Sequence, residues 1–280
     1  MFSTWPEAFR LLRDHRFLFI PVGVSAIAKT VLLALALLAP FPPFSNLLAP
    51  VIRYFWSEIY LHYPYHLGLA SRWFRRLDLF LPVFLEGFLI AMAALLVRQV
   101  IAGRPAKLRQ VFADAFRRYP ALLILTLINV LLALVLVQAV FIPIRLILER
   151  VSFLAKSPFT AAFLPGITTL VVIAAVESLF IFAIPLCVME NRPWGSSLVG
   201  SIRTSLQAYR WIFLTILAVT LCYLPVILVR QGSMGLVEGP WPESILLIYA
   251  ARIVVAWLLN SILSVWAAVY LLRTAAQRVR

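Results

Sequence analysis

Of 280 residues, 63% are hydrophobic and only 13% charged, against about 45–50% and about 25% in an ordinary soluble domain. So much apolar side chain, gathered in runs long enough to cross a hydrocarbon core of about 30 Å, excludes a soluble globular fold. The net charge of +14 does not point to nucleic acid, because the basic residues stand at the ends of apolar runs rather than on one polar domain; anionic lipid headgroups are the matching counter-charge.

The chain begins with a short amphipathic stretch. Thr4, Trp5, Pro6 and Glu7 read as a capping box, with Thr4 as N-cap, Glu7 at the third helical position and Pro6 in the tolerant first turn. Trp5, Ala8, Leu11 and Leu12 then recur at helical spacing. This stretch runs into a first span over about residues 17–39, too long for a signal peptide and without a small-residue cleavage site behind it, so it reads as an uncleaved helix. Pro40, Pro42 and Pro43 stop that span, and residues 40–78 are rich in Pro, Tyr, Trp and Arg. Trp56, Tyr60, Tyr63, Tyr65 and Trp73 suit a headgroup-level aromatic belt, which predicts a re-entrant or surface-lying segment. Glu58, His62 and His66 are spaced four apart, but Pro64 interrupts the helix that would align them, and an interfacial segment explains them more simply than a metal site.

A second span is expected at 79–101. A second amphipathic stretch from Ala106 to Tyr119, with Leu108, Val111, Phe112, Ala115 and Phe116 at helical spacing, leads into a third span at 121–144. The fourth is expected at 166–189. A third amphipathic stretch from Ser196 to Arg210 leads into a fifth at 211–229, and the sixth is expected at 253–272. Residues 145–164 and 231–247 read as smaller outer connections, the latter marked by Gly232, Gly235, Gly239, Pro240 and Pro242. The three amphipathic helices are expected to lie in the interface, apolar face in the acyl region and Arg toward phosphates. Cys187 and Cys222 fall inside apolar runs as small hydrophobes, with no disulfide framework and no zinc spacing.

Aligning the three amphipathic stretches places His15, Tyr119 and Tyr209 together, one or two residues before each span. Glu86 stands 12 residues before Arg98, Glu177 stands 13 before Glu190, and Asn260 stands 13 before Arg273. The predicted unit is interface helix, span, outer loop, span, repeated in parallel about an axis along the membrane normal. The units cover about 1–103, 104–191 and 192–280 of a single transmembrane domain. Fifteen basic residues fall on the side of the termini and nine on the other, which places both termini in the cytoplasm. The expected fold is all-α, a polytopic membrane bundle of six transmembrane helices with amphipathic interface helices and three parallel-repeated hairpins.

Glu86 and Glu177 lie at corresponding places of the second and fourth spans. A carboxylate at a helix centre costs about 2.5–3.5 kcal/mol on insertion scales, so each must face protein or water. Either they fix bundle packing through hydrogen bonds, as Asn260 would in the third unit, or they line a route for solute or proton. Lys29, near the middle of the first span, pairs with Glu86 or Glu177, or snorkels toward an interface through a local bend near Pro21, or the span is shifted. Asn129, Gln138 and Thr126 in the third span invite bonds across helices. No serine elbow, phosphate loop, HExxH or GxGxxG is present, so neither enzymatic activity nor a catalytic residue, metal or cofactor is expected.

Within residues 171–229 an apolar span ends in Ile184, Pro185, Leu186, Cys187, Val188, Met189 and Glu190, and a small-residue amphipathic helix follows from Ser196 to Tyr209; the stretch from Arg104 to Leu123 is a second copy. This organisation resembles poorly characterised bacterial six-span proteins grouped with the membrane domain attached to glycerophosphodiester phosphodiesterases. The resemblance implies a multi-pass protein of the bacterial inner membrane and transfers no catalytic residue. The function expected from the sequence is an integral membrane accessory, scaffold or assembly component in contact with anionic headgroups at the cytoplasmic face and with a protein partner in a membrane complex. The alternative is a transporter or permease subunit for a lipid or small solute that uses the intramembrane carboxylates.

Overall fold

Without water, backbone N–H and C=O groups in a bilayer must bond within the segment, so long apolar runs become helices. The computed structural model, which describes residues 4–150, 158–225 and 237–279, is accordingly all-α, with no strand among the described residues. The helices are α1 (Thr4–Asp14), α2 (Ile20–Leu38), α3 (Phe44–Phe55), α4 (His66–Leu81), α5 (Gly87–Ile101), α6 (Leu108–Arg117), α7 (Tyr119–Arg150), α8 (Pro158–Phe180), α9 (Ala183–Met189), α10 (Trp194–Leu206), α11 (Tyr209–Leu221) and α12 (Ser244–Val279). Five stretches are long and apolar enough to cross a membrane: Arg16–Leu38, Pro82–Ile101, Tyr119–Pro143, Pro165–Met189 and Ser244–Gln277. A sixth exists if the bent pair α10 and α11 counts as one. The composition and these helices mark a multi-pass membrane protein.

Four expectations change in detail. The fifth span, expected over 211–229, is a continuous α-helix only to Leu221, where α11 ends; the 97° bend lies ahead of it, between α10 and α11, and residues 226–229 lie outside the described residues. The sixth helix starts at Ser244 rather than 253, because the Trp241–Pro242–Glu243 turn bonds directly into it through Ser244 N–H to Trp241 O and Leu246 N–H to Glu243 O. Arg252 therefore stands inside α12, its guanidinium 5.9 Å from the Phe74 ring centre. The fourth span breaks at Ile181 and Phe182 into α8 and α9. Residues 40–78 fold as α3, a 3₁₀ turn (Glu58–Leu61) and α4, which passes through a π turn (Pro82–Glu86) into α5. Of the two smaller outer connections, residues 151–157 and 231–236 lie outside the described residues.

The helix at the centre is α5, whose Ala91, Ala93, Ala94, Leu96 and Val97 are fully enclosed. Around it pack Phe182 and Cys187 at the start and middle of α9 and the run from Val265 to Val269 on α12. Small side chains let these backbones approach, the main source of helix association when lipid tails are as apolar as the core. The amphipathic α1 is pinned to this core rather than lying free in the acyl region. Ala8 and Leu12 are buried, Trp5 stacks on Trp266 at 5.1 Å, and Arg273 donates to both carboxylate oxygens of Glu7 at 2.9 and 2.8 Å. The contact places the amino-terminal helix and the carboxy-terminal end of α12 at the same end of the bundle. In α6 the buried residues are Val111 and Ala115, while Leu108, Phe112 and Phe116 are exposed. In α10 the polarity is inverted: Ser197, Ser201 and Ser205 are buried and Val199 and Leu206 exposed.

Candidate intramembrane polar site

The site is built around the π turn. Pro82 brings no N–H to the helix ladder, and a π turn inside a helix re-aims the side chains that follow it. Two side chains of the α7 region complete the backbone bonding here: Thr126 Oγ1 donates to Val83 O at 3.0 Å, and the Tyr119 hydroxyl donates to Phe84 O at 2.9 Å. Gly87 makes that approach feasible. A Cβ on Gly87 would lie 2.3 Å from Thr126 Cγ2, far inside contact distance.

Held this way, Glu86 points at α2. Its Oε1 accepts from Lys29 Nζ at 2.5 Å and from Ser25 Oγ at 3.0 Å. Ser25 and Lys29, four residues apart, share one face of α2. The side chains of Lys29 and Glu86 are only 14% and 18% exposed, so the pair is largely withdrawn from solvent. Of the readings open for Lys29, pairing with Glu86 is what the structure shows.

Glu177 sits near the end of α8, one turn before the break, where Ile181 N–H still bonds to Glu177 O at 2.9 Å. The backbone beyond is fixed by basic residues from other helices: Arg118 Nη1 donates to Cys187 O at 2.9 Å and Arg98 Nη1 to Met189 O at 2.7 Å, satisfying carbonyls near the α9 carboxy-terminus. Ser201 Oγ donates to Leu179 O at 2.7 Å on the other side. The Glu177 carboxylate itself receives no hydrogen bond or ion pair from the described residues, and it has accessible surface.

A cavity of about 200 Å³ explains that surface. Glu86 from the π turn, Thr126 and Asn129 from α7, Glu177 from α8, and Asn260 and Ser264 from α12 line it together with an apolar wall that includes Ile90, Phe180 and Leu263. Among the described residues Asn129 Oδ1 has no hydrogen-bond partner. A smaller void of about 10 Å³ next to Lys29 is also lined by Ser25 and Asn260. Four helical segments, distant in sequence, thus deliver their polar side chains to one place. One carboxylate, Glu86, is paired with the Lys29 ammonium, the other is unpaired among the described residues, and the amides supply both donors and acceptors. Such a site is suited to accept a cation or a proton and to hydrogen-bond a polar ligand head against an apolar body.

The structure brings Glu86, Glu177 and Asn260 to the cavity and Lys29 to Glu86. Asn129 and Thr126 line the cavity as well, while Gln138 is exposed and does not. Away from the site, Glu58 pairs with Arg53 at 2.9 Å, His66 is buried and His62 exposed, and no group of three metal-capable side chains is assembled among the described residues. Sequence reasoning missed Ser25, Gly87, Ser264 and the π turn. The available signals were the Ser25–Lys29 spacing and the Pro82–Gly87 bracket around Glu86. Comparison of the chain with family models, with curated proteins and with solved structures finds no match.

Proposed function

We propose that this chain is a transporter or permease subunit that binds a small solute, or the polar part of a lipid, in the carboxylate-lined cavity between its helices. The observation supporting this reading is the convergence of Glu86, Asn129, Glu177 and Asn260 from separate helical segments on one cavity of about 200 Å³. Intramembrane ionisable residues are costly, and a carboxylate that faces a void without a partner among the described residues, as Glu177 does, fits a pathway better than packing alone. The proposed setting is the bacterial inner membrane with both termini cytoplasmic, in keeping with the distribution of basic residues and the resemblance to six-span inner-membrane proteins. The proposed repeat of three hairpins places the two carboxylates and Asn260 at equivalent steps.

A second reading, a non-catalytic accessory or scaffold component, draws on the exposed ring faces of Phe112 and Phe116 on α6, which stack in series with Tyr119 and would suit a protein partner. Affinity purification in mild detergent, with mass spectrometry of co-purifying proteins, lipids and solutes, separates the two. Wild type is expected to run alone with a defined solute or lipid that the Glu86→Gln, Glu177→Gln double variant loses. A stoichiometric protein partner retained by both would overturn the transport reading in favour of the accessory one.

A further inference from the structure

We infer that the ligand of this cavity is a small organic cation, a primary amine with an apolar body, whose ammonium group binds at Glu177. The inference rests on the cavity being a binding route, as proposed above, and adds the chemical class of what enters it.

Charge supplies the first part of the argument. Of the two cavity carboxylates, Glu86 is matched by Lys29 Nζ and Ser25 Oγ, whereas among the described residues nothing bonds to the Glu177 carboxylate. Arg252, on α12, lies against the Phe74 ring. Lys29 is thus the one cation among the described residues in direct contact with a cavity carboxylate, and it contacts Glu86. A positively charged ligand head restores at Glu177 the balance that Lys29 provides at Glu86. The neighbouring amide is compatible with this: Asn129 lines the cavity, and among the described residues its buried Oδ1 lacks a partner.

Size and lining supply the second part. About 200 Å³ is several times the roughly 30 Å³ share of one water and exceeds the roughly 150 Å³ of a cavity that admits benzene. A bare metal ion would leave most of that space empty, and no group of three His, Cys, Asp or Glu side chains that could hold one is assembled among the described residues. Ile90, Phe180, Ile184 and Leu263 form an apolar wall that an aliphatic or aromatic body fills.

The test uses the full chain in phosphatidylcholine nanodiscs at neutral pH, with empty nanodiscs as the partition control. Three probes of similar size differ in charge: phenethylamine, 2-phenylethanol and 3-phenylpropanoate. Calorimetric titration of wild type is expected to give an amine affinity at least tenfold above that of the alcohol, with no binding of the carboxylate. Glu177→Gln is expected to reduce amine affinity tenfold or more, to the level of the alcohol, and to leave the alcohol unchanged. If the alcohol or the carboxylate binds as tightly as the amine, the cation assignment fails while the cavity reading survives. If no probe binds, the cavity reading fails with it. Equal amine binding by wild type and Glu177→Gln places the amine elsewhere and overturns the inference. The ranking of the three probes on wild type decides the matter even if the variant does not fold.

Discussion

Glu86 and Glu177 are the same residue type, at corresponding steps of two spans, on the wall of one cavity, yet their surroundings differ. Glu86 is seated by a π turn and closed by Lys29 and Ser25; Glu177 stands one turn before a helix break with no partner among the described residues. A carboxylate already matched by a cation contributes to holding helices together, whereas one left open to a cavity keeps its interaction free energy for something that arrives. Under the proposed function, the pair near α2 belongs to the architecture and the open carboxylate to binding.

The largest expected effect comes from breaking the closed side. Lys29→Met leaves Glu86 uncompensated and is expected to cost about 3 kcal/mol, the lower end of the range for removing one partner of a buried pair, because both side chains retain some exposure. Thermal unfolding in detergent reads the loss, and the Lys29→Met, Glu86→Gln double variant is expected to recover most of it. Gly87→Ala comes next. Its methyl group would collide with Thr126 Cγ2 and force α5 and α7 apart, an overpacking cost of about 1–3 kcal/mol. The same variant is expected to weaken the Lys29–Glu86 contact, because the π turn aims that carboxylate; the infrared carboxylate bands of isotope-labelled protein report it.

On the open side, Glu177→Gln is expected to change stability by less than about 1 kcal/mol, since no pairing is lost. A drop as large as that of Lys29→Met would erase the comparison. The smallest effect belongs to a contact remote from both carboxylates. The Tyr63 hydroxyl donates to Glu243 Oε1 at 2.8 Å between the outer connection and the start of α12. Glu243 is held below the usual carboxylate range by its own backbone N–H and by Tyr63, and Tyr63 is pushed up by the bond to Glu243. The Glu243 contribution is therefore present above the ordinary carboxylate range and lost as pH falls through its lowered value. That of Tyr63 is present below the ordinary phenol range and lost as pH rises through its raised one. Tyr63→Phe is expected to flatten the acid limb of the stability profile slightly and to leave amine binding unchanged.

How much of this was legible in the sequence depends on the range of the signal. The spans could be read because lipid imposes a length and a composition on each run, and Glu86, Glu177, Lys29 and Asn260 stood out because charged and amide groups are rare there. Periodicity showed that α1 has an apolar face but not that Trp266 on the last helix would cover it, since that contact joins the two ends of the chain. The 97° bend between α10 and α11 is what an interface helix from Ser196 to Arg210 running into a span requires, although Gln207 and Ala208 carry no Pro or Gly to mark the break. Ser25 looked like one more small residue in an apolar run; only the lateral position of α5 makes it a partner of Glu86. The choice between two partners for Lys29 was likewise a question of which helices are neighbours.

The most direct test of unequal carboxylates needs no substitution. Wild-type protein in nanodiscs is treated with a hydrophobic carbodiimide, which modifies carboxyl groups that are reachable from a low-dielectric space and not held in an ion pair, and the modified residues are identified by peptide mass spectrometry. The account predicts modification of Glu177, protection of Glu177 by phenethylamine, and little modification of Glu86 behind Lys29 and Ser25. Equal labelling of the two, or labelling of Glu86 alone, would contradict it.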